Sequence, residues 1–277
     1  MTRVASIGEC MIELRQAPGG QLGGLYSRSF GGDTLNTAVY LSRLGVHVDY
    51  FTALGDDALS DEMIAGWASE GIGTKHVARS AGKLPGLYLI QTDDRGERRF
   101  FHWRDSAAAR DLMDLPETED ILNSLATYDV VYLSAITLSI LREDGRERLL
   151  AALKRARLLG TRFAFDTNFR ARGWSDLNVA RKVFSSAFET ADIVLASTED
   201  LAPLYPGETN TALLAGISSP EVVLKLAEPA CIVRSAGGTR EVRAEQLTKP
   251  VVDTTAAGDS FAACLSRRAA RRRRARG

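Results

Sequence analysis

The stretch Val252-Asp253-Thr254-Thr255-Ala256-Ala257-Gly258-Asp259-Ser260-Phe261 decides the fold of this chain. An apolar strand signal ending at Val252 runs into two threonines and then into small residues that let the backbone pack tightly. An acidic residue, Asp259, then opens an alanine-rich helical pattern. The stretch therefore predicts a strand, a turn and a helix in direct succession.

The start of this predicted helix has the chemistry of an anion site. Its first backbone N–H groups lack partners within the helix and lie at the positive end of the helix dipole, so they can bind phosphate oxygens. A carboxylate at Asp259 stays ionised there and can accept a proton from a substrate hydroxyl. The alternative is a core helix entered through a small-residue turn, which a bare Gly-Asp pair would favour.

The whole run resembles the Asp-Thr-Thr-Gly-Ala-Gly-Asp-(Ser/Ala)-Phe signature of the ribokinase-like sugar kinases, the phosphofructokinase-B family. The resemblance implies that Asp259 is the general base and that the backbone N–H groups of Ala256, Ala257 and Gly258 form the anion hole. Ala256 stands where the family has the first glycine of the turn. The resemblance further implies ATP and Mg²⁺ as cofactors.

The middle of the chain alternates strand and helix patterns. Residues 130–133 and 163–166 are apolar runs typical of buried strands, and a helical pattern spans about 147–159. This rhythm indicates a parallel sheet covered by helices on both faces. Together with the resemblance, it predicts an α/β fold, a ribokinase-like three-layer αβα sandwich with a mostly parallel central sheet and a small β-sheet lid. We expect a kinase domain over 1–263, lid segments at about 11–31 and 85–104, and an Arg-rich tail over 264–277.

A second glycine motif, Gly31-Gly32-Asp33-Thr34-Leu35-Asn36, precedes an apolar pattern with helical spacing. Its glycines allow a ligand to approach the backbone, and Asp33 and Asn36 project from the first helical turn. The motif resembles the first sugar-binding motif of the family, Gly-Gly-x-x-x-Asn, in the variant typical of 2-keto-3-deoxygluconate kinases. This implies substrate contacts for Gly32, Asp33 and Asn36. A helix capped by Asp33 after a flexible turn is the alternative.

Alternating residues on either side of a turn at 93–96 predict a hairpin, which needs further strands to be stable. Its segments resemble the lid of the 2-keto-3-deoxygluconate kinases, where a tyrosine and an arginine contact the sugar acid. The resemblance carries these roles to Tyr88 and Arg104, and it places His102 where such enzymes often have tyrosine. Solvated charges on an exposed edge are the better interpretation of Arg98 and Arg99.

Asp166-Thr167-Asn168-Phe169-Arg170 follows a predicted parallel strand at the end where such sheets bind ligands. It resembles the Asp-x-Asn-x-Arg segment of the family, which implies that Asn168 approaches the phosphates and Arg170 the substrate. A capped loop is the alternative. Guanidinium groups at Arg104 and Arg170 match a carboxylate with paired hydrogen bonds, which a neutral sugar does not require. An acidic sugar is therefore the expected substrate.

The nucleotide side is expected to include Ser197, Lys225 and Gly258, by resemblance to positions that contact magnesium, phosphate or nucleotide in the family. A helix N-cap is an equal alternative for Ser197. Lys225 precedes a segment that lacks the glycines of many relatives.

Composition excludes several classes of protein. At 277 residues and 45% hydrophobic content, the chain is long enough for one large α/β domain. Residues 267–277 contain seven arginines, so the formal net charge of zero hides a net charge of −7 over residues 1–266. An acidic body argues against nucleic acid as a partner, and no apolar run is long enough for a membrane span. The cysteines are three, odd in number and far apart, and the chain starts without a signal-peptide pattern, which favours a cytoplasmic protein. Neither the cysteines nor the histidines have the spacing of metal ligands, so we expect no metal held by the protein.

The motifs and the resemblance they carry imply an ATP-dependent kinase of a sugar acid, most simply 2-keto-3-deoxygluconate, acting as a homo-oligomer through the lid. A fructose or ribose kinase is one alternative. The other is a catalytically impaired sugar-acid-binding protein, because the Arg-rich tail stands where the family continues its last helices and closes the adenine pocket. A dinucleotide dehydrogenase is disfavoured, since no Gly-x-Gly-x-x-Gly follows the first strand.

Overall fold

The computed structural model describes residues 2–17, 24–93, 98–245 and 256–274, with side chains as far as residue 269. The strand expected at Val251 and Val252 and the two threonines of the quoted stretch lie outside the described residues. The helix after them is described, and it begins at Ala257.

The described strands divide between a larger and a smaller sheet. In chain order they are β1 (Arg3–Ile7), β2 (Met11–Gln16), β3 (Tyr26–Gly31), β4 (His47–Leu54), β5 (Gly73–Arg79), β6 (Leu87–Thr92), β7 (Arg98–Trp103), β8 (Val130–Ser134), β9 (Arg162–Asp166), β10 (Ile193–Ser197), β11 (Glu221–Lys225), β12 (Ala230–Ser235) and β13 (Gly238–Arg243).

The larger sheet has the strand order β13-β12-β11-β10-β9-β8-β1-β4-β5. Neighbouring strands from β11 to β5 are parallel, whereas β12 and β13 are added antiparallel at one edge. Central strands such as β8 are buried along their whole length. Burial on both faces explains why these strands appear in the sequence as continuous apolar runs.

The described helices are α1 (Asp33–Arg43), α2 (Ala58–Ser69), α3 (Thr118–Ser124), α4 (Ala135–Ile140), α5 (Glu143–Leu158), α6 (Leu177–Thr190), α7 (Thr198–Leu201), α8 (Asn210–Gly216) and α9 (Ala257–Arg274). Local chemistry sets several of their starts. Asp57 accepts hydrogen bonds from two backbone N–H groups of α2, and Asp176 does the same for α6. Gly32, not Asp33, occupies the N-cap position of α1, so Asp33 is its first helical residue.

Two apolar clusters, one on each face of the larger sheet, form the core. Successive residues of β8 alternate between them, with Val131 in one cluster and Tyr132 in the other. Side chains of α1, α2 and α9 belong to the cluster of Tyr132, and side chains of α3, α4, α5 and α6 belong to the cluster of Val131. The described helices thus lie in layers on both faces, and the predicted αβα fold is confirmed.

The smaller sheet, which we call the lid sheet, has the order β3-β2-β6-β7. Its outer pairs are antiparallel and its central pair, β2 with β6, is parallel. Its strands fall within the predicted lid segments. Ile12, Phe30 and Leu87 pack against the cluster that contains α1 and α2, so this end of the lid sheet is anchored to the body.

The arginine-rich run continues α9 as far as Arg274. A run of like charges tends to be disordered, because the charges repel one another. Alanine and arginine are both strong helix formers, and Ala262, Ala263 and Ala269 are buried in the core. Burial of these alanines anchors the helix as far as Ala269, and the remaining arginines extend a helix that is already formed.

Candidate functional site

The predicted site residues gather at the carboxyl ends of the central parallel strands. Asp166 is the last residue of β9, Ser197 ends β10 and Lys225 ends β11. Open parallel sheets bind ligands at this edge, because the loops that leave the strands there converge on one crevice. The first turns of α1 and α9 approach the same place.

Asp259 lies in the first turn of α9 and contacts α1 across the site. Its Oδ2 accepts a hydrogen bond of 2.8 Å from Asn36 Nδ2. Burial and the neighbouring charge of Asp33 raise the pKa of Asp259 to about 6, against the opposing effects of Asn36, Lys225 and Arg170. The carboxylate is therefore mostly ionised at neutral pH and able to take a proton.

The turn before Asp259 places a cation beside the helix start. Ala256 has a left-handed backbone with φ of 59°, and its carbonyl accepts the Ser260 N–H at 2.9 Å. A Cβ atom built on Gly258 would lie 3.6 Å from Lys225 Nζ. Lys225, predicted to bind nucleotide, is thus brought against the predicted anion hole.

A second carboxylate, that of Asp33, is also held by an asparagine amide. Asn168 Nδ2 donates to Asp33 Oδ2 at 2.7 Å, which joins the loop after β9 to α1. Burial raises the pKa of Asp166 to about 7; Lys225 opposes this shift, whereas the charges of Asp200 and Asp33 add to it. Negative charges are therefore concentrated around Lys225.

A chain of buried hydroxyl groups connects these carboxyl groups. Thr37 Oγ1 lies 3.3 Å from the backbone carbonyl of Asp259 and 3.4 Å from the Tyr132 hydroxyl. Tyr132 in turn donates to Asp166 Oδ2 at 3.3 Å. The chain ties α1, α9 and the central strands together beneath the site.

The lid sheet carries Tyr88 and His102 side by side. The Tyr88 hydroxyl donates to Glu13 Oε2 on the neighbouring strand β2, and the rings of Tyr88 and His102 stack with centroids 5.8 Å apart. Burial lowers the pKa of the His102 imidazole, as do the nearby charges of Arg104 and Arg172. His102 is therefore mainly neutral at pH 7 and offers both a donor and an acceptor.

Both glycines of the predicted sugar-binding motif, Gly31 and Gly32, lie where an added Cβ atom would meet another part of the chain. A Cβ atom on Gly31 would clash with the Tyr88 hydroxyl, and a Cβ atom on Gly32 would clash with the carbonyl oxygen of Glu9. The motif thus brings the lid sheet and the end of β1 against the start of α1.

The two arginines predicted to bind a carboxylate occupy different environments. Arg104 Nη2 donates to Glu9 Oε2, and its side chain is largely buried. Arg170 Nη1 lies 3.5 Å from Asp200 Oδ1, and its side chain is 60% exposed. Arg104 is therefore held in place, whereas Arg170 remains available to a ligand.

Ser197 has the capping role that the sequence left open. It is the N-cap of α7, and its hydroxyl accepts the Asp200 N–H at 3.1 Å. Asp200 in turn accepts hydrogen bonds from Thr167 Oγ1 and from the backbone of Phe169. Ser197 and Asp200 thus shape the loop after β9.

A cleft of about 360 Å³ opens next to Lys225. It is lined by Thr198, Asn210, Leu226, Ala227 and Glu228. Its mixed polar and apolar lining, which includes the three residues that follow Lys225 in the chain, suits the base and ribose of a nucleotide.

Across residues 2–17, 24–93, 98–245 and 256–274, no three His, Cys, Asp or Glu side chains are grouped so that they could hold a metal ion. In the same part of the chain, no helix combines the length and apolar character needed to cross a membrane.

Sequence reasoning missed Glu9 and Glu13 as members of this site. Glu9 follows the central strand β1 at its carboxyl end, which is a detectable signal. Glu13 lies in β2, within the predicted lid segment at about 11–31, where no separate signal in the sequence marked it. Tyr132 was assigned to a buried strand, and its hydroxyl contacts depend on elements far apart in the sequence.

Comparisons with known proteins agree with this geometry. A family model described as "pfkB family carbohydrate kinase" matches residues 1–275. The chain is 44% identical over 269 residues to 2-dehydro-3-deoxygluconokinase of Dickeya dadantii, covering 94% of this chain and 85% of that protein. It is 40% identical over 270 residues to the Escherichia coli K12 protein of the same name, covering 94% and 86%. The crystal structure of Xylella fastidiosa fructokinase with bound ATP superposes with a TM-score of 0.83 at 24% identity, covering 97% of this chain and 81% of that one, and supports the fold.

Proposed function

Because the chain belongs to the pfkB family of carbohydrate kinases, we propose that it transfers the terminal phosphoryl group of ATP to 2-keto-3-deoxygluconate. The acceptor is the terminal hydroxyl of the sugar acid, and the products are ADP and 2-keto-3-deoxy-6-phosphogluconate. One observation carries the proposal: a partly buried carboxylate, Asp259, held by Asn36 at the start of a long helix and beside Lys225.

Asp259 acts as the general base. Its ionised carboxylate takes the proton of the hydroxyl while that oxygen forms a bond to the terminal phosphorus atom and the bond from phosphorus to ADP breaks. Asn36 orients the carboxylate through its amide hydrogen bond. Phosphoryl transfer depends mainly on positioning and charge, so a fixed base of suitable pKa is what the protein must supply.

The nucleotide side consists of the helix start and its neighbours. Backbone N–H groups of Ala256, Ala257 and Gly258 bind the transferring phosphoryl group, and Lys225 offsets its negative charge. ATP supplies that group when bound, and Mg²⁺ would be held mainly by its phosphates. Asn168 approaches the phosphates, while the cleft beside Lys225 accommodates the base and ribose.

The acidic end of the substrate lies beneath the lid sheet. Arg104 and Arg170 bind its carboxylate, and Gly32, Asp33, Tyr88 and His102 contact the remaining polar groups. Identity to the two 2-dehydro-3-deoxygluconokinases supports this choice over a neutral sugar. Closure of the lid sheet over the site excludes water from the reaction.

The assignment is tested by measuring ADP release with 2-keto-3-deoxygluconate, fructose and ribose side by side. We expect turnover with the sugar acid alone. Asp259→Asn should lower kcat by on the order of a hundredfold or more, since a positioned base contributes about 10² to 10⁴. Asp120→Asn, on the exposed surface of α3, is the matched control and should behave as wild type.

Turnover confined to fructose or ribose would replace the proposed substrate with a neutral sugar. Binding of the sugar acid without turnover would favour the catalytically impaired alternative. Full activity of Asp259→Asn would contradict the assigned base.

We further propose that the protein forms a homo-oligomer through the lid sheet. Its outer strand β7 exposes Phe100, Phe101 and Trp103, and an uncovered sheet edge readily pairs with another strand. Sedimentation velocity should show an oligomer that Trp103→Lys converts to monomer. Leu158→Lys, which changes an exposed leucine at the end of α5, should leave it intact. A monomeric wild type would contradict the proposal.

Cys10, Cys231 and Cys264 are free thiols, which fits a cytoplasmic enzyme.

The kinase domain is proposed to span residues 1–263.

A further inference from the structure

Glu9 is a buried carboxylate at the junction of the two sheets, and the reaction proposed above does not use it. It follows the carboxyl end of β1, which lies between β8 and β4 in the larger sheet, and β2 of the lid sheet begins two residues later. Its side chain is only 1% exposed. A carboxylate so far removed from water is costly unless a cation or hydrogen bonds compensate it.

The compensating cation is Arg104, which directly follows β7 of the lid sheet. Arg104 Nη2 donates to Glu9 Oε2. This contact occupies one side of a planar group that carries five N–H donors in a fixed fork. Arg104 Nε is buried without a hydrogen-bond partner among the described residues. Glu9 therefore fixes the guanidinium to the body of the protein. The Nε donor of Arg104 is not used by any described residue.

Two glycines, Gly32 and Gly86, leave the space that Glu9 occupies. A Cβ atom on Gly86 would lie 3.0 Å from Glu9 Oε1, and one on Gly32 would clash with the Glu9 carbonyl. Glycines at both positions therefore let the carboxylate and its backbone fit between the lid sheet and the start of α1. Glu9 thus lies against the sugar motif as well as against Arg104.

We infer that Glu9 is a positioning residue for recognition of the sugar acid: it holds the Arg104 guanidinium so that the remaining donors face the substrate carboxylate. A free arginine loses rotamer freedom when it binds a ligand, and an arginine already held by a buried partner has lost that freedom beforehand. The identity of the ligand rests on the proposed function, whereas the contact between Glu9 and Arg104 does not.

A merely structural tether is the competing explanation, and the chain contains a matched control for it. Arg28 on β3 forms an ion pair with Glu62 on α2, which also joins the lid sheet to the body. Both side chains are substantially exposed, and neither belongs to the proposed site. Loss of Glu62 therefore removes a link between the lid sheet and the body without changing the proposed site, and it should leave binding of the sugar acid unchanged.

The test is a double-mutant cycle on binding of 2-keto-3-deoxygluconate, measured by calorimetry. Glu9→Gln should weaken binding about tenfold, and Arg104→Gln on the order of a hundredfold, because charged hydrogen bonds are lost. The double variant should bind no more weakly than Arg104→Gln, since Glu9 acts only through Arg104. Glu62→Gln should bind as wild type. In turnover assays, Glu9→Gln should raise KM while kcat stays within about twofold of wild type, because the lost interaction contributes equally to substrate and transition state.

Glu9→Asp is the second variant, for use if Glu9→Gln does not fold. It keeps the charge but withdraws the carboxylate from Arg104, and it should also weaken binding. Wild-type affinity in the folded Glu9 variants, or an equal further loss in the Arg104→Gln background, would overturn the inference. Binding by wild type without phosphorylation would contradict the proposed function alone, because the cycle is measured on binding.

Discussion

Asp259 combines two properties that are hard to obtain together, removal from much of the solvent and an ionised state at neutral pH. Burial and the charge of Asp33 raise its pKa to about 6, whereas the amide of Asn36 and nearby cations limit the rise. A base with this pKa is ionised at neutral pH and still accepts a proton more readily than an exposed aspartate.

This setting predicts an acid limb in the pH dependence of kcat/KM. Activity should fall as pH drops below about 6, because the protonated carboxyl can no longer accept the substrate proton. Asp33→Asn removes a negative charge that raises the Asp259 pKa, so it should move the limb to lower pH. The measurement is kcat/KM for the sugar acid at saturating ATP and Mg²⁺ between pH 5 and 8, approximately the range over which such a group titrates.

The result to compare between variants is the pH at which kcat/KM falls, not the maximal value of kcat/KM. Asp33 is also a predicted substrate contact, so its replacement is expected to lower activity at every pH. Asp120→Asn should leave the limb unchanged. A limb that moves to higher pH in Asp33→Asn would contradict the assigned electrostatic coupling.

At the scale of elements, the start of α9 requires an unusual conformation. Ala256 has a φ of 59°, a left-handed backbone that is strained for a residue with a Cβ atom. Ala256 stands where the signature of the family has glycine. The helix therefore starts in the left-handed conformation that suits glycine, and the alanine side chain makes this conformation less stable.

Ala256→Gly should therefore stabilise the protein by about 1 kcal/mol, as removal of left-handed strain outweighs the added chain entropy of glycine. Urea unfolding measures the change. Ala257→Gly is the matched control, because it adds glycine within the helix and should destabilise by up to about 1 kcal/mol. Equal destabilisation by both substitutions would show that Ala256 is not strained.

At the scale of the whole molecule, Asp166 couples the site to stability. It lies where β9 meets charges from several elements, and its pKa is raised to about 7, mainly by burial. A raised carboxyl pKa means that the folded state binds this proton more tightly than the unfolded state does. Its favourable contribution is complete below about pH 4, the usual aspartate pKa, and is lost as pH rises through about 7.

Asp166→Asn should remove this dependence. The variant should gain stability relative to wild type on going from pH 4 to pH 8, by up to about 4 kcal/mol for a pKa shift of this size. Urea unfolding at both pH values gives the difference, with Asp120→Asn as the control for an exposed carboxylate. A relative stability independent of pH would contradict the raised pKa.

Sequence alone predicted much of the architecture and the family, because those features depend on local patterns. Apolar runs indicated the parallel strands, alternation indicated the lid strands, and small residues before Asp259 indicated the start of α9. The motifs around Gly32, Tyr88 and Asp259 pointed to a sugar-acid kinase, in agreement with the matched family and the 2-dehydro-3-deoxygluconokinases. Each signal lies within a short segment whose chemistry is readable by itself.

Only the tertiary structure decided which of these groups meet. Asn36 and Asp259 are 223 positions apart, and Glu9 and Arg104 are 95 apart. Their contacts depend on the strand order, which places β1 inside the larger sheet between β8 and β4, and on the packing of the lid sheet against the cluster that contains α1 and α2. Burial then determines the pKa values of Asp166 and Asp259, because the cost of removing charge from water depends on surroundings contributed by several distant elements.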